Sequence, residues 1–264
     1  MSGIDVSRLA RHLDDAQRSA TAVPQLSADP AVDRAGDFGV ATAYDIQAAA
    51  YQLRLDRGER GSGVKLGFTS RAKMAQMGIS EIIVGRLTDQ MRIADGGVID
   101  LDSLIHPRIE PEIAYLLAED IGGDDQRPLA PSAIAAIAPA LEIIDSRYRD
   151  FSFSLADVVA DNASSARYVV GPWHHPDQDL GNLAVRLTVG GRLAEAGSTA
   201  AILGHPQRAL HELVRLGREL GIPLRAGDVV LAGAATSAVP FTGEVVECEV
   251  AGLGRATVRG VRHG

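Results

Sequence analysis

Two glutamates at the start of an apolar strand constrain the fold of this chain more than any other feature. They lie in His106-Pro-Arg-Ile-Glu-Pro-Glu112, and the run that follows to Leu117 is rich in strand-forming residues. Side chains two residues apart on a strand point to the same face, so Glu110 and Glu112 project together beside a hydrophobic surface. Burying either carboxylate is costly unless something neutralises it, and a divalent cation would do so. The alternative is a solvated strand entrance with two ordinary surface glutamates.

A third carboxylate, Glu142, is the only charged side chain within the apolar part of Pro139-Ala-Leu-Glu-Ile-Ile-Asp145. This run predicts a second buried strand. A single glutamate in such a strand can also belong to a structural salt bridge. One cation shared by three carboxylates on two strands is the more economical explanation.

Two other charged residues lie in shorter predicted strands. Lys65 lies in Val64-Lys-Leu-Gly-Phe-Thr-Ser70, where an ammonium group needs a nearby anion. Alternatively, this strand lies at a sheet edge and the lysine side chain reaches water. Asp89 lies near the end of a strand that we predict over residues 84–91.

Two polar stretches are candidates for contact with a ligand. Asp161, Asn162, Ser164 and Ser165 form a dense polar group that could hydrogen-bond a substrate, although these residue types also favour turns for local reasons. Residues 233–237, Gly-Ala-Ala-Thr-Ser, form a small-residue loop that could admit a ligand closely, and this makes Thr236 a candidate contact.

Helical periodicity is concentrated near the N-terminus, and strands are predicted over most of the remainder. Apolar spacing predicts helices from about residue 7, over 41–56 and over 207–220, and a short helix over 133–138. Gly61-Ser-Gly63 is a plausible boundary. We therefore expect a helical N-terminal segment over residues 1–60 and a β-rich catalytic domain over residues 61–264. The fold class expected is α+β, with a mixed-sheet core and helices on one side.

Composition argues against several classes of function. A net charge of −8 and 4% aromatic residues make nucleic acid and anionic membranes improbable partners. The sole cysteine, Cys248, rules out an internal disulfide and a cysteine-based metal site. No stretch approaches the roughly 20 apolar residues of a membrane span, and the N-terminus lacks a signal-peptide pattern. We expect a soluble, cytoplasmic protein. Dinucleotide, Walker and nucleophile-elbow motifs are missing from the sequence.

Taken together, these residues resemble the fumarylacetoacetate hydrolase superfamily, in the branch of 2-hydroxypentadienoate hydratases and 4-oxalocrotonate decarboxylases. The resemblance runs from about residue 41 to the C-terminus in six ordered blocks. The blocks are Lys65-Leu-Gly-Phe-Thr-Ser70, Lys73-Met-Ala-Gln-Met-Gly78, His106-Pro-Arg-Ile-Glu-Pro-Glu112, Leu141-Glu-Ile-Ile-Asp-Ser-Arg147, Val159-Ala-Asp-Asn-Ala-Ser-Ser165 and Leu203-Gly-His-Pro206. Pro111 departs from the alanine expected between the glutamates.

The resemblance implies that Glu110, Glu112 and Glu142 hold one divalent metal. Three carboxylates suit a hard ion, Mg²⁺ or Mn²⁺, better than zinc. Lys65 is our candidate for the charge partner of the enolate or of the C1 carboxylate of the substrate. Asp89, Ser164 and Ser165 are then candidates for orienting the substrate or relaying a proton.

The implied reaction is decarboxylation of 2-oxohex-3-enedioate, a small-molecule 2-oxo dicarboxylate, to 2-hydroxypenta-2,4-dienoate. Tyr148 and Phe151-Ser-Phe-Ser154 look like the decarboxylase versions of their blocks. The alternatives are a hydratase of the same branch, a carbon–carbon bond hydrolase, and a non-catalytic partner of the hydratase; intact glutamates argue against the last. The family also implies a homo-oligomer and an association with the vinylpyruvate hydratase of the same pathway.

Overall fold

The structure is a computed structural model that describes residues 3–36, 38–70, 81–121 and 129–263. The Lys73-to-Gly78 block of the resemblance lies outside the described residues. The described α-helices are α1 (Val6–Arg18), α2 (Pro30–Ala35), α3 (Val40–Asp56), α4 (Leu155–Ala160) and α5 (Gln207–Glu219). The described strands are β1 (Gly61–Gly67), β2 (Ile83–Thr88), β3 (Arg92–Ile93), β4 (Gly97–Asp100), β5 (Arg108–Leu117), β6 (Ile134–Ile144), β7 (Ser165–Val170), β8 (Ala184–Val189), β9 (Arg192–Ser198), β10 (Val229–Ala234), β11 (Val239–Pro240), β12 (Val245–Val250) and β13 (Gly254–Val261).

The strands form two sheets. The larger has the order β2-β1-β10-β5-β6-β7-β3, with β11 also paired to β5, and the smaller has the order β4-β13-β12-β8-β9. In the larger sheet β1 runs parallel to β10 and β3 parallel to β7, whereas β5 is antiparallel to both β10 and β6. Helices and mixed sheets together confirm the predicted α+β class with a β-rich core.

The main hydrophobic core joins the two sheets. It includes side chains of β1, β5 and β6 from the larger sheet and of β8, β12 and β13 from the smaller one. β12 shows how the sequence produces this core, because Val246, Cys248 and Val250 are fully buried and alternate with more exposed neighbours. This period of two is what a strand with one covered face requires.

The N-terminal helices pack against the larger sheet in a second hydrophobic cluster. Leu9 of α1 and Ile46 of α3 are fully buried there, together with Ile83 of β2 and Tyr148. The buried amide of Gln47 donates hydrogen bonds to the carbonyl of Val84 (3.0 Å) and to that of Val159 at the end of α4 (2.9 Å). The first 60 residues thus share a core with the rest of the chain, and their status as a separate domain stays a prediction.

Two expectations about elements need correction. The helix predicted over residues 133–138 is wrong, because these residues enter β6 and pair with β5. Ala138 and Ala140 pack with Ala114 and Tyr168 in a compact apolar cluster, where small side chains fit and pairing overrides the helical propensity of alanine. The helices do not all pack against one core, since α5 contributes to the main core, whereas α1 and α3 contribute to the second cluster.

No helix in the described ranges is long and apolar enough to cross a membrane.

Candidate active site

The paired strands β5 and β6 bring the three predicted carboxylates together. Glu110 lies directly opposite Glu142 in the antiparallel register, and Glu112 follows on the same face of β5. One carboxylate oxygen from each residue lies within 4.8 Å of the others. Glu112 and Glu142 are buried, and Glu110 is half-buried. The pairing register, set by apolar residues on either side, therefore places like charges next to one another.

Lys65 is the cation that faces this cluster. Its Nζ lies 3.0 Å from Oε2 of Glu142, and the side chain is buried. Since β1 lies between β2 and β10, the alternative of a lysine at a sheet edge is wrong. Burial lowers the pKa of Lys65, but attraction to Glu142, Glu110 and Glu112 outweighs it and the pKa is raised. The ammonium form is thus the stable one.

The cluster has more negative charge than Lys65 can balance. Burial, with repulsion from Glu142 and Glu110, raises the pKa of Glu112 well above its ordinary value. Oε2 of Glu112 accepts a hydrogen bond of 2.7 Å from the backbone N–H of Gly233. Oε1 of Glu112 and Oε1 of Glu142 are buried without a hydrogen-bond partner among the described residues. Unpartnered buried carboxylate oxygens facing one another fit a divalent cation, and an all-oxygen donor set fits a hard one.

A cavity of about 320 Å³ opens above the carboxylates. Lys65 and Glu110 lie at its polar end, whereas Phe151, Phe153 and Val158 form apolar walls. This combination of an apolar enclosure with a few convergent charged groups is typical of small-molecule sites.

Ser164, a predicted substrate contact, lies at the cavity in a strained turn. Asn162, Ala163 and Ser164 all have left-handed φ angles, of 52°, 52° and 56°, which costs energy for residues other than glycine. The Asn162 amide stabilises the turn, because its Oδ1 accepts from the N–H of Arg86 (2.7 Å) and its Nδ2 donates to the carbonyl of Arg86 (2.9 Å). Ser164 lines the cavity, and its buried Oγ has no hydrogen-bond partner among the described residues. Ser165 is buried at the start of β7 and is not among the lining residues.

Asp161 has a structural contact that the sequence did not reveal. Its carboxylate accepts hydrogen bonds from the Nε and the backbone N–H of Arg147, and both side chains are buried. The same guanidinium donates to the carbonyls of Asp145 (2.8 Å) and Ser165 (3.2 Å). The carboxylate of Asp161 is therefore used in binding Arg147, which stabilises the turn, and it is not available to hydrogen-bond a substrate.

The structure does not bring Asp89 to the site. Asp89 comes directly after Thr88, the last residue of β2, which pairs with Gly61 at the start of β1. Lys65 pairs with Gly85, near the other end of β2, so Asp89 and Lys65 lie at different ends of the strand pair. Its carboxylate accepts hydrogen bonds from the backbone N–H (2.9 Å) and Nε (3.0 Å) of Arg60 at the surface. We therefore remove Asp89 from the catalytic candidates and assign it a structural role.

Thr236 is adjacent to the site and does not line it. Its methyl group would lie 3.0 Å from a Cβ placed on Gly197, and its hydroxyl donates to the carbonyl of Ser237 (3.0 Å). Of the predicted loop, Ala234 and Ser237 line the cavity. The small-residue pattern thus predicted a loop that lines the cavity, and the lining side chains are those of Ala234 and Ser237 and not that of Thr236.

Sequence reasoning missed Arg108, Phe151 and Phe153 as lining residues. Arg108 could have been found, because it is two residues before Glu110 and so lies on the same face of β5. The aromatic pair lies in an irregular segment, where no periodicity indicates the direction of a side chain.

Comparisons with known proteins agree with this geometry. The family described as fumarylacetoacetate (FAA) hydrolase C-terminal matches residues 71–260. A 4-oxalocrotonate decarboxylase of a Pseudomonas species is 52% identical over 94% of this chain and 95% of its own length. A 2-keto-4-pentenoate hydratase of Paraburkholderia xenovorans is 38% identical over 85% of both chains.

A solved structure is similar over nearly the whole chain. It is the 4-oxalocrotonate decarboxylase from Pseudomonas putida G7 complexed with magnesium and adipate, with a TM-score of 0.88, 36% sequence identity and 97% coverage of both chains. The chain therefore belongs to the fumarylacetoacetate hydrolase family, in the branch that contains 4-oxalocrotonate decarboxylases and 2-keto-4-pentenoate hydratases.

Proposed function

We propose that this protein is a divalent-cation-dependent carboxy-lyase that converts 2-oxohex-3-enedioate (4-oxalocrotonate) to 2-hydroxypenta-2,4-dienoate and CO₂ in aromatic meta-cleavage catabolism. The observation that carries the proposal is the three-glutamate cluster with Lys65 below an apolar cavity, in a chain 52% identical to a 4-oxalocrotonate decarboxylase over 94% of its length. Glu110, Glu112 and Glu142 would hold the ion, Mg²⁺ or Mn²⁺, which would supply Lewis-acid chemistry to the ketone of the substrate.

The reaction needs a sink for one electron pair. When the C5–C6 bond breaks, C6 leaves as CO₂ and its bonding pair moves through the C3–C4 alkene to the ketone oxygen. That oxygen then takes a proton and becomes the 2-hydroxyl of the product. No general base is needed to break the carbon–carbon bond, so the protein has to stabilise negative charge and orient the departing carboxylate.

Lys65 is the residue to which we assign the charge stabilisation. Its buried ammonium group lines the cavity beside the carboxylates, where it can donate a hydrogen bond to the oxygen that gains negative charge. A positive charge acts strongly on developing negative charge where water is excluded. Ser164, which lines the same cavity and whose buried Oγ has no hydrogen-bond partner among the described residues, would orient the substrate by a second hydrogen bond.

The apolar walls have a complementary role. Phe151, Phe153 and Val158 exclude water from one side of the cavity. Exclusion of water strengthens the electrostatic interactions between the substrate and the charged groups of the cavity, and it keeps water away from the dienolate.

Hydration of 2-hydroxypenta-2,4-dienoate is the second candidate. The hydratases in the same branch, at 38% identity over 85% of the chain, favour it. The same carboxylate cluster and lysine could polarise the dienol for addition of water.

Three further parts of the proposal concern the setting of the reaction. We propose a cytoplasmic enzyme, a homo-oligomer, and an association with the hydratase that consumes its product. The reactive dienol product supports the last part, because direct transfer to a second enzyme would protect it from side reactions.

The test is incubation of purified protein and Mg²⁺ with 2-oxohex-3-enedioate, followed by CO₂ release, with 2-hydroxypenta-2,4-dienoate in a parallel reaction. Release of CO₂ that EDTA abolishes supports the decarboxylase. No CO₂ from the first substrate, with metal-dependent consumption of the dienoate in the parallel reaction, supports the hydratase and rejects the main proposal.

A further inference from the structure

Arg108 lies at the rim of the cavity on the same strand face as two of the glutamates. Arg108, Glu110 and Glu112 alternate along β5, so their side chains project from the same face. Arg108 is about 7 Å along the strand from Glu110, which is comparable with the length of an extended six-carbon diacid. It lines the cavity and is exposed to solvent.

The aromatic wall holds the guanidinium in place. Arg108 Cζ lies 4.9 Å from the centre of the Phe151 ring, within the range of a cation–π contact. Phe151 is itself fixed in a left-handed conformation (φ 55°) and packs against His106 at 5.1 Å and Phe153 at 6.0 Å between ring centres. The ring covers one face of the guanidinium and leaves its in-plane N–H donors available.

Those donors have no hydrogen-bond or ion-pair partner in the parts of the chain that the structure describes. Apart from the Phe151 ring, Arg108 interacts through its backbone, which pairs with Ile144 of β6 and Pro240 of β11. A planar fork of N–H groups, already oriented by an aromatic ring, is suited to bidentate binding of a carboxylate.

The charges around the cavity explain why a second cation is needed. Lys65 and a divalent ion together would balance the three glutamates. A substrate with two carboxylates adds two negative charges, and only one end of it can reach the ion. Among the described residues that line the cavity, Arg108 is the cationic side chain other than Lys65.

We propose that Arg108 binds the carboxylate at the far end of the substrate and makes the site selective for 2-oxo dicarboxylates over 2-oxo monocarboxylates. This inference rests on the proposed function, because it places the 2-oxo end of the substrate at the glutamates. The contact exists in the bound substrate and weakens as the far carboxylate becomes neutral CO₂. Arg108 therefore contributes to substrate binding and specificity and does not accelerate bond breaking.

The test compares two ligands that differ only in the far carboxylate, 2-oxoadipate and 2-oxohexanoate. Both lack the alkene, so neither provides the electron path for decarboxylation. Their affinities are measured by calorimetry on the Mg²⁺-loaded wild type, on Arg108→Gln, on Arg108→Lys and on Arg11→Gln. Arg11 is an exposed arginine of α1 and serves as the matched control.

The wild type and Arg11→Gln are expected to bind 2-oxoadipate at least about tenfold more tightly than 2-oxohexanoate, an effect of the size that one charge-assisted hydrogen-bonded pair gives. Arg108→Gln should reduce this preference to under about twofold and leave the affinity for 2-oxohexanoate unchanged, and Arg108→Lys should retain part of the preference. Unchanged 2-oxohexanoate affinity also shows that the variant is folded.

Three results would overturn the inference: no preference in the wild type, a full preference in Arg108→Gln, or an equal loss of affinity for both ligands. Because neither ligand turns over, failure of this inference is distinct from failure of the proposed function, which the CO₂ measurement on the wild type decides. With 2-oxohex-3-enedioate itself, Arg108→Gln should raise KM about tenfold and should not lower kcat, because the contact is weaker in the transition state than in the bound substrate.

Discussion

At the residue scale, the site is organised by the cost of burying like charges. Glu112 and Glu142 are buried beside each other, and Lys65 forms an ion pair with Glu142. The carboxylates repel one another, and a bound cation would offset this repulsion. Metal binding therefore favours the ionised carboxylates, and metal affinity depends on their ionisation. The sequence identified all four charged residues, because charged side chains within apolar strands are anomalies that can be seen without a structure.

Lys65→Met separates the role of the lysine from that of the ion. Removing the ammonium leaves the glutamates with a larger net negative charge, so Mg²⁺ affinity, measured by calorimetry, should stay equal to that of the wild type or increase. CO₂ release at saturating Mg²⁺ should fall by about 10²-fold or more, the usual loss for one electrostatic catalytic group. Lys65→Arg retains the charge and tests whether charge alone suffices. A Lys65→Met variant with wild-type turnover would remove Lys65 from the mechanism.

Cys248 should be chemically inert in the folded protein. It is fully buried on β12, and burial raises the pKa of its thiol far above the ordinary value. A raised pKa keeps the thiol neutral at pH 8, where a free cysteine begins to ionise, so a thiol-reactive dye should not label the native protein. Denaturation should give one labelled site per chain. Rapid labelling of the native protein at the rate of free cysteine would contradict the burial.

At the element scale, the pairing of β10 with β5 is irregular next to the carboxylates. The register shifts between Leu231 and Ala234, and Gly233 in the shift has a φ of 107° and donates its N–H to Glu112. A Cβ on Gly233 would lie 1.9 Å from the Oγ1 of Thr69. The absence of a side chain at Gly233 therefore leaves room for the side chain of Thr69, while the backbone N–H of Gly233 donates to the carboxylate of Glu112.

Gly233→Ala should destabilise the protein by about 3 kcal/mol or more, because it combines backbone strain with a clash against Thr69. The matched control is Gly252→Ala, where φ is also positive (79°) but nothing lies within 4 Å of the added Cβ. In Gly252→Ala, backbone strain alone should lower the free energy of unfolding by about 1–2 kcal/mol. Urea unfolding of both variants measures the difference. Equal losses would show that the close approach at Gly233 is unimportant.

The elements also show where sequence patterns succeed. The helix predicted over residues 41–56 is α3 (Val40–Asp56), and that over 207–220 is α5 (Gln207–Glu219), because both carry clear helical periodicity. The alanine-rich start of β6 was misread, since its strand state depends on pairing with β5 and on space for small side chains, and neither is local information.

At the scale of the whole molecule, the N-terminal helices and the larger sheet contribute side chains to the same hydrophobic cluster. Ile46 of α3 is fully buried in a cluster with Ile83 of β2 and Val159 of α4. Pairings between distant parts of the chain also build the site, since Lys65 meets Glu142 and Asn162 meets Arg86. Such pairings could not be derived from local patterns, which explains why Asp89 and Thr236 were assigned to the site and Phe151 was missed. Arg108, by contrast, lies on the same face of β5 as Glu110 and could have been found from the alternation of the strand.

Ile46→Ala tests whether the molecule unfolds as one unit. Loss of a fully buried isoleucine should cost about 2–5 kcal/mol. The exposed Val98→Ala, with Val98 57% exposed, should change stability by less than about 0.5 kcal/mol. In each variant, unfolding followed by far-UV circular dichroism and by fluorescence of the sole tryptophan, Trp173, should give one common midpoint. Separate midpoints, with only the helical signal shifted, would show that the N-terminal segment folds independently.

The central claim is that the carboxylate cluster is the centre at which CO₂ is lost. The most direct measurement is CO₂ release from 2-oxohex-3-enedioate at saturating Mg²⁺ by Glu142→Gln and by Glu119→Gln, an identical substitution at an exposed glutamate beyond the end of β5. The rate of CO₂ release should fall by about 10²-fold or more in Glu142→Gln, whereas in Glu119→Gln it should stay within about twofold of the wild-type rate. A folded Glu142→Gln variant that releases CO₂ at the wild-type rate, whether or not EDTA is present, would contradict the account.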